Sequence, residues 1–369
     1  MIIGIPKEIK IHEYRVGATP AMVRSLVSSG HEVYVEANAG EKIGFTDSMY
    51  ALEGARIARD AVEVWSKAEM IIKVKEPQKI EYPLIKEGQI LFCYLHLAPD
   101  PKQTEALVKS GCVAVAYETV TDSHGRLPLL VPMSEIAGRI AIQVGCATLQ
   151  LNHGGKGLLL GGVPGVLPAK VTVIGGGVAG TEAARMAQGL GADVTILDRD
   201  LNRLKYLDAV FGLKTLYSSS LAIDEVIAQT DLLIGAVLIP GKTAPKLVSR
   251  NQIKKMAPGS VVVDIAIDQG GCLETSRPTS HAEPTYLEEG VLHYCVTNMP
   301  GACARTSTMA LTNATSQYAL TLANKGYKLA MRADPHLLAG LNVCLGKVTN
   351  ESVAEDLGYP YTLPKELLS

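Results

Sequence analysis

Lys75 and His96 each stand at the end of an apolar run that reads as a strand, in MIIKVKEP and LFCYLHLAPD, and Arg15 follows the first strand in KIHEYRVGATP. Arginine offers paired donors to a carboxylate and lysine a point cation to a carboxylate or carbonyl oxygen, while imidazole changes charge near neutral pH. Together they suit the capture of a small carboxylic acid and the movement of a proton on it. Each has an ordinary alternative. Arg15 reads equally as a surface cation, Lys75 and its face-sharing neighbour Lys73 as lysines snorkelling from a strand end, and His96 as a buried histidine with satisfied nitrogens. Their recurrence at successive strand ends favours chemistry, because a parallel sheet brings such ends to one edge. In the second half, Asp268 closes the apolar run VVVDIAIDQGG before a glycine turn, whereas Asp264 lies earlier in that run and reads as structural.

A second constellation binds rather than reacts. In VTVIGGGVAGTEAARMAQGLGADVTILD, residues 171–198, an apolar strand feeds Gly175, Gly177 and Gly180 at the spacing GxGxxG, and a helix rich in small residues follows. The first glycine permits the tight turn, the second lets backbone approach a pyrophosphate, and the third lets helix and strand pack closely. The helix start adds its positive end. A second strand ends on Asp198, where a carboxylate accepts from both ribose hydroxyls and repels a 2′-phosphate, so the expected cofactor is NAD rather than NADP. Arg199 and Arg203 stand nearby, although arginine on a helix usually faces solvent. Asn298, ending a strand in HYCVTNMPGA, has an amide suited to the nicotinamide or the substrate, or simply to a turn.

These residues need a scaffold, and the chain supplies strands alternating with helices. Strands are expected at Ile2–Ile5, Glu32–Glu36, Met70–Val74, Gln89–Leu95 and Val113–Tyr117, with helices such as Ala21–Ser29, closed by Gly30, and Ala61–Ala68, capped by Asp60. A helix from Ser134 to about Leu151 leads through the glycine-rich NHGGKGLLLGGVPGV to a second series, at Val171–Ile174, Val194–Asp198, Leu232–Ala236, Val261–Asp268 and Leu292–Val296. After about Thr306 the pattern is helical again. The expected fold is α/β, two doubly wound Rossmann-type domains with the NAD-binding domain inserted into the catalytic one. At 369 residues the chain exceeds one comfortable core. Its net charge of −2 leaves no electrostatic footprint for nucleic acid or a membrane surface. The longest apolar runs, such as LLIGAVLIPG, fall well short of a membrane span, and the lysines of MIIGIPKEIK follow the apolar start, the reverse of a signal peptide. Seven cysteines without a CxxC pair are expected to be reduced thiols in a cytoplasmic protein, and no spacing implies a metal.

Read in order, the runs GIPKE, RVGATP, GHEVYVE, KVKEP, LHLAPD, AYETV, PLLVPMSEIAGR, LLLGGVPGV, VIGGGVAG, GAVLIPG, APKLVS, VVVDIAIDQGG and NMPGA span almost the whole chain. The sequence resembles the alanine dehydrogenase family, within the wider group that includes the NAD-binding component of proton-translocating transhydrogenase. The resemblance implies a homohexamer that interconverts L-alanine with pyruvate and ammonium, using NAD. It implies a catalytic domain over residues 1–130, an NAD-binding domain with its linking helix over 131–303, and C-terminal helices over 304–369 returning to the first domain. Carried over position by position, Arg15 and Lys75 grip substrate while His96 and Asp268 handle protons. Met133 and Ser134 approach the cofactor; Val178, Ala179, Asp198, Arg203 and Ser218 bind its adenosine half. Val237, Leu238, Ile265, Ala266 and Ile267, with Val296, Thr297, Asn298 and Met299, line the nicotinamide side. Departures are Gly17, where a bulkier apolar residue is common, and Cys303-Ala304 in place of Val-Pro, which softens the start of the next helix. Two rivals share the scaffold: an NAD component of a transhydrogenase-like assembly and an NAD-sensing protein, neither turning over an amino acid. The substrate alternatives are another small amino acid or a larger one such as lysine.

Overall fold

Short apolar runs separated by capped amphipathic stretches fold here as strands that gather into two separate sheets. The computed structural model describes residues 1–237 and 243–368. They form two compact units, one made of Met1–Pro132 together with the chain from Cys303 onward, the other of Met133–Ala302. The first unit begins with strands β1 (Ile2–Ile5), β2 (Glu32–Glu36), β3 (Arg56–Ala58), β4 (Met70–Ile72), β5 (Ile90–Cys93) and β6 (Val113–Ala116). The second holds β7 (Lys170–Ile174), β8 (Asp193–Asp198), β9 (Lys214–Tyr217), β10 (Leu232–Gly235), β11 (Val261–Asp264), β12 (Thr285–Glu288) and β13 (Val291–Tyr294). The chain then returns to the first unit with β14 (Leu341–Cys344) and β15 (Lys347–Val348).

The first sheet runs in the order β15-β14-β6-β5-β4-β1-β2-β3. Strands β1 to β6 are parallel, and β14 joins β6 antiparallel. The chain winds from β1 out to β3, then crosses back to β4 on the other side of β1. That reversal opens a crevice at the carboxyl ends of β1 and β4, the usual ligand position in such sheets. Strands β4, β5 and β6 are buried along their whole length, as expected where helices cover both faces. Trp65, Ile71, Leu91 and Ala114 pack together in this core with Val343 of β14. The helices start where side chains satisfy their first amides: Thr19 accepts from Met22 N–H with Pro20 in the first position, Asp60 from Glu63 N–H, and Asp100 from Gln103 N–H.

The second sheet has the order β12-β13-β11-β10-β7-β8-β9, parallel except for β12, and its reversal lies between β7 and β10. Among the described residues no helix is long and apolar enough to cross a membrane.

Several expected elements differ. The residues after about Thr306 are not all helical: a helix over Ala304–Ala333, broken at Gly326, is followed by β14 and β15. The linking helix starts earlier than expected and spans Val131–Thr148. The run expected as one strand over 261–268 stops at Asp264, and Ile265–Gln269 forms a tight helical turn. The run ending at His96 leaves the sheet at Cys93.

Candidate active site

Within the first unit, Arg15, Lys75 and His96 follow β1, β4 and β5, three neighbouring strands beside the reversal. The Arg15 side chain is only 2% exposed, and Glu13 beside it has none of its side chain exposed. Glu13 accepts from Arg15 Nε at 2.7 Å, from Nη2 at 2.5 Å and from the Arg15 backbone N–H at 3.0 Å. The surface-cation alternative is therefore wrong, and the Nε–Nη2 fork expected to grip a substrate is held by Glu13.

Lys73 is likewise no snorkelling lysine. Its ammonium is buried between Glu8, at 3.1 Å, and Glu81, at 3.0 Å. Glu8 also accepts the backbone N–H groups of Val74, at 2.7 Å, and Lys75, at 3.1 Å. The peptide that carries Lys75 is thus fixed from below by a buried carboxylate whose charge Lys73 balances. Burial pushes the Glu8 carboxyl up, against the pull of Lys73.

His96 is not the buried strand-end histidine of the ordinary alternative. Its side chain is 46% exposed, and its backbone adopts a φ of +48°, a region unusual for a residue with a side chain. Glu118 holds that conformation by accepting the His96 N–H at 2.6 Å and the Leu95 N–H at 3.1 Å, with the imidazole Nδ1 at 3.9 Å. The imidazole stacks on Tyr94, ring centroids 5.9 Å apart and planes 7° apart. Burial raises the Tyr94 hydroxyl, and the Arg15 cation works against it, so Arg15, Tyr94 and His96 form one neighbourhood. Sequence reasoning passed over Glu8, Glu13, Tyr94 and Glu118. Three of the four stand in GIPKE, LFCYLHLAPD and AYETV, runs already singled out, and Glu13 precedes Arg15 by two positions.

Within the second unit, Gly175 leaves β7 with a φ of +103°, Gly177 caps the helix Val178–Gly189, and Gly180 lies against the Gly175 carbonyl. Gly177 is exposed, and a side chain built on it would meet nothing within 4 Å. That open space at a helix start is the cradle a pyrophosphate requires, so the residues fit a dinucleotide. Asp198, at the end of β8, accepts the Gly176 N–H at 2.6 Å and the Asp200 N–H at 2.8 Å. Arg203 does not simply face solvent: Nε donates to the Gly176 carbonyl at 2.5 Å and Nη2 to Thr181 Oγ1 at 2.6 Å. Ser218 donates its backbone N–H to the Asp198 carbonyl at 2.8 Å, so Asp198, Arg203 and Ser218 share one corner with the glycine turn.

The residues expected on the nicotinamide side follow β10, β11 and β13, beside the second reversal. Val237 is half-buried, Ile265, Ala266 and Ile267 lie in the turn after β11, and Leu238 lies outside the described residues. Val296, Thr297, Asn298 and Met299 follow β13, with Asn298 at a φ of +61°. The Asn298 backbone N–H lies 3.4 Å from the Asp268 carboxylate, which brings Asp268 and Asn298 together. Asp268 is exposed, whereas Asp264 is fully buried. Met133 and Ser134 lie in the first turn of the linking helix.

Comparison with known proteins adds what geometry alone does not. The family models for the alanine dehydrogenase/PNT N-terminal and C-terminal domains match residues 4–137 and 141–351. A protein named alanine dehydrogenase from Methanococcus maripaludis is 56% identical over 372 residues, with both chains covered in full. A solved structure named L-alanine dehydrogenase superposes with a TM-score of 0.94 at 51% identity, covering 97% of this chain and 99% of its own. A transhydrogenase structure from Sinorhizobium meliloti reaches 0.83 at 26% identity, covering 95% and 100%. With both halves matched and the full length shared, the chain belongs to the alanine dehydrogenase/PNT family.

Proposed function

We propose that this protein is an NAD-dependent alanine dehydrogenase that reversibly converts L-alanine and water to pyruvate and ammonium. The observation that carries the reading is the full-length identity of 56% to a protein of that name. Identity to the transhydrogenase is less than half as great, which disfavours a partner module without amino-acid turnover. Gly175, Gly177, Val178, Ala179 and Gly180 would hold the pyrophosphate, with Asp198, Arg203 and Ser218 at the adenosine half. Met133, Ser134, Val237, Leu238, Ile265–Ile267 and Val296–Met299 would hold the remainder. When bound, NAD supplies the acceptor for the hydride that leaves the alanine Cα.

The protein's own residues do the rest. Lys75 pairs with the substrate carboxylate or the developing carbonyl oxygen, and Arg15 adds a second cation to that anion. His96 takes a proton from the attacking water or from the amine and returns it as the amine leaves; its exposure gives that proton a path to solvent. Asp268 orients the water and favours the cationic iminium. We infer a homohexamer from the family resemblance, whose mass sedimentation would measure, and a cytoplasmic setting from seven cysteines without a CxxC pair.

The test is NADH formation with NAD and a panel of small L-amino acids, followed by the reverse reaction with pyruvate and ammonium. Alanine should dominate. His96→Ala should remove nearly all turnover while NAD still binds; full activity in that variant sinks the role of His96. NAD binding without oxidation of any amino acid would turn the reading to a transhydrogenase-like partner or a sensor.

A further inference from the structure

The turn that carries Asp268 is held far more firmly than a solvent-exposed glycine loop requires. Asp264, fully buried at the end of β11, sends one carboxylate oxygen to the Ala266 N–H at 3.0 Å, where the turn begins. The other oxygen accepts the Cys272 N–H at 2.8 Å, where the turn ends, and the Ser276 hydroxyl at 2.6 Å. One carboxylate therefore ties both ends of the segment on which Asp268 sits. Gly271, at a φ of +75°, lies so close that an added Cβ would meet that oxygen at 2.7 Å. Only glycine lets the backbone close over the carboxylate there.

The carbonyl side of the turn is held from the opposite direction. Lys246 Nζ donates to Gly270 O at 2.6 Å, Gly271 O at 2.9 Å and Leu273 O at 3.0 Å. An ammonium has three N–H donors, and three acceptors take them here. The neighbouring backbone completes the row: Ala244 N–H donates to Gln269 O, and Leu247 and Val248 N–H donate to Cys272 O. Five consecutive carbonyls, from Gln269 to Leu273, are thus satisfied by the segment 244–248. The Lys246 stem is exposed while its charge is spent on backbone. A lysine whose purpose was solubility would point that charge to water.

We propose that Lys246, acting with Asp264, is a positioning residue that fixes the Gly270–Gly271 turn and through it the placement of the Asp268 carboxylate. This rests on the reading of Asp268 as a reacting group. Asp264 gathers the amides and the hydroxyl, Lys246 gathers the carbonyls, and the turn between them cannot rotate Asp268 away without breaking bonds on one side. Displacing a reacting group by about 1 Å is enough to cost on the order of 100-fold in rate.

The experiment compares Lys246→Met, Asp268→Asn and the double variant in steady-state alanine oxidation by the full-length enzyme. Binding of ADP-ribose, which lacks the nicotinamide, and thermal melting are measured alongside. Lys246→Met keeps the stem and removes the ammonium, and the melting temperature reports whether the fold is retained. Its kcat should fall about 10- to 100-fold with ADP-ribose affinity unchanged. Added to Asp268→Asn, it should cost less than about twofold more, because a residue that acts through Asp268 has nothing left to position. Ser276→Ala, which removes one donor from Asp264, should give a smaller loss with the same lack of additivity. A wild-type kcat for Lys246→Met, or losses that multiply in the double variant, overturns the proposal and leaves Lys246 a structural residue. If Asp268→Asn itself keeps full kcat, the reading of Asp268 falls and this inference with it. An impaired Asp268→Asn beside an unimpaired Lys246→Met defeats the inference alone.

Discussion

Glu13 and Arg15 form a buried pair in which the carboxylate decides where the guanidinium points. A buried pair is poor evidence for stability, since desolvation offsets much of the attraction, but it restricts the arginine to one orientation. Glu13→Gln keeps the shape but removes the charge and replaces one accepting oxygen with an amide donor, so at least one bond from the guanidinium, worth about 1.5–3 kcal/mol when the partner is charged, is lost. The expected result is a KM for alanine and for pyruvate raised about tenfold or more, with NAD binding unaltered. Varying alanine at saturating NAD measures it; an unchanged KM would mean that Arg15 does not depend on Glu13 for its work. Lys75 and His96 are served in the same way, by Glu8 and Glu118, through backbone amides instead of side chains. Each proposed reacting side chain in the first unit thus has a carboxylate behind it.

At the scale of elements, the approach of the helix Val178–Gly189 to β7 depends on Gly180. A Cβ built there would lie 1.8 Å from the Gly175 carbonyl oxygen. Gly180→Ala must push the helix off the strand, at a cost of about 1–3 kcal/mol for the misfit, and it moves the helix start at which a pyrophosphate would bind. Loss of NAD affinity together with a lowered melting temperature is expected, and calorimetry with and without NAD reads both; full NAD affinity would separate this glycine from cofactor binding. Elements of this kind were legible in the sequence, because β7 and β8 have apolar alternation, a glycine signature and an acid at the expected place. Others were hidden by their own residues. Strands β9 and β12 are half-exposed and mixed in polarity, so nothing in KTLY or TYLE marks a strand. The apolar continuation Ile265-Ala266-Ile267 concealed a turn that begins because Asp264 captures the Ala266 amide. His96 lay beyond local reasoning as well: its exposure and left-handed backbone depend on Glu118, a residue from another strand end. Spacing marks the glycine turn, whereas the carboxylates behind Arg15, Lys75 and His96 are set by the fold.

The whole molecule is built as two units with separate sheets, and their responses to pH need not match. His293, in β13 of the second unit, is buried between Thr275 Oγ1 at 2.8 Å and the Val291 carbonyl at 3.0 Å. Burial holds its imidazole below the ordinary value of 6.5. The folded unit therefore prefers the neutral ring, while the unfolded chain takes up a proton near pH 6.5. Stability contributed by this histidine is full above that pH and is lost as pH falls below it. Melting followed from pH 7.5 down to 5.5 should show the second unit weakening, and His293→Asn should flatten that dependence; an identical slope in the variant would assign it to other groups. The order in which the sheets are completed has a different consequence. Strand β14, near the carboxyl end of the chain, pairs with β6, so the first sheet waits for residues that leave the ribosome long after the second sheet is whole. At a synthesis rate of about 5–20 residues per second, the edge of β6 stays unpaired for on the order of ten seconds to a minute. During that interval the nascent chain presents a sticky strand to its surroundings. Premature termination between Ala302 and Leu341 would therefore release a product with a finished second unit and a permanently open β6 edge, a natural client for chaperones and for aggregation.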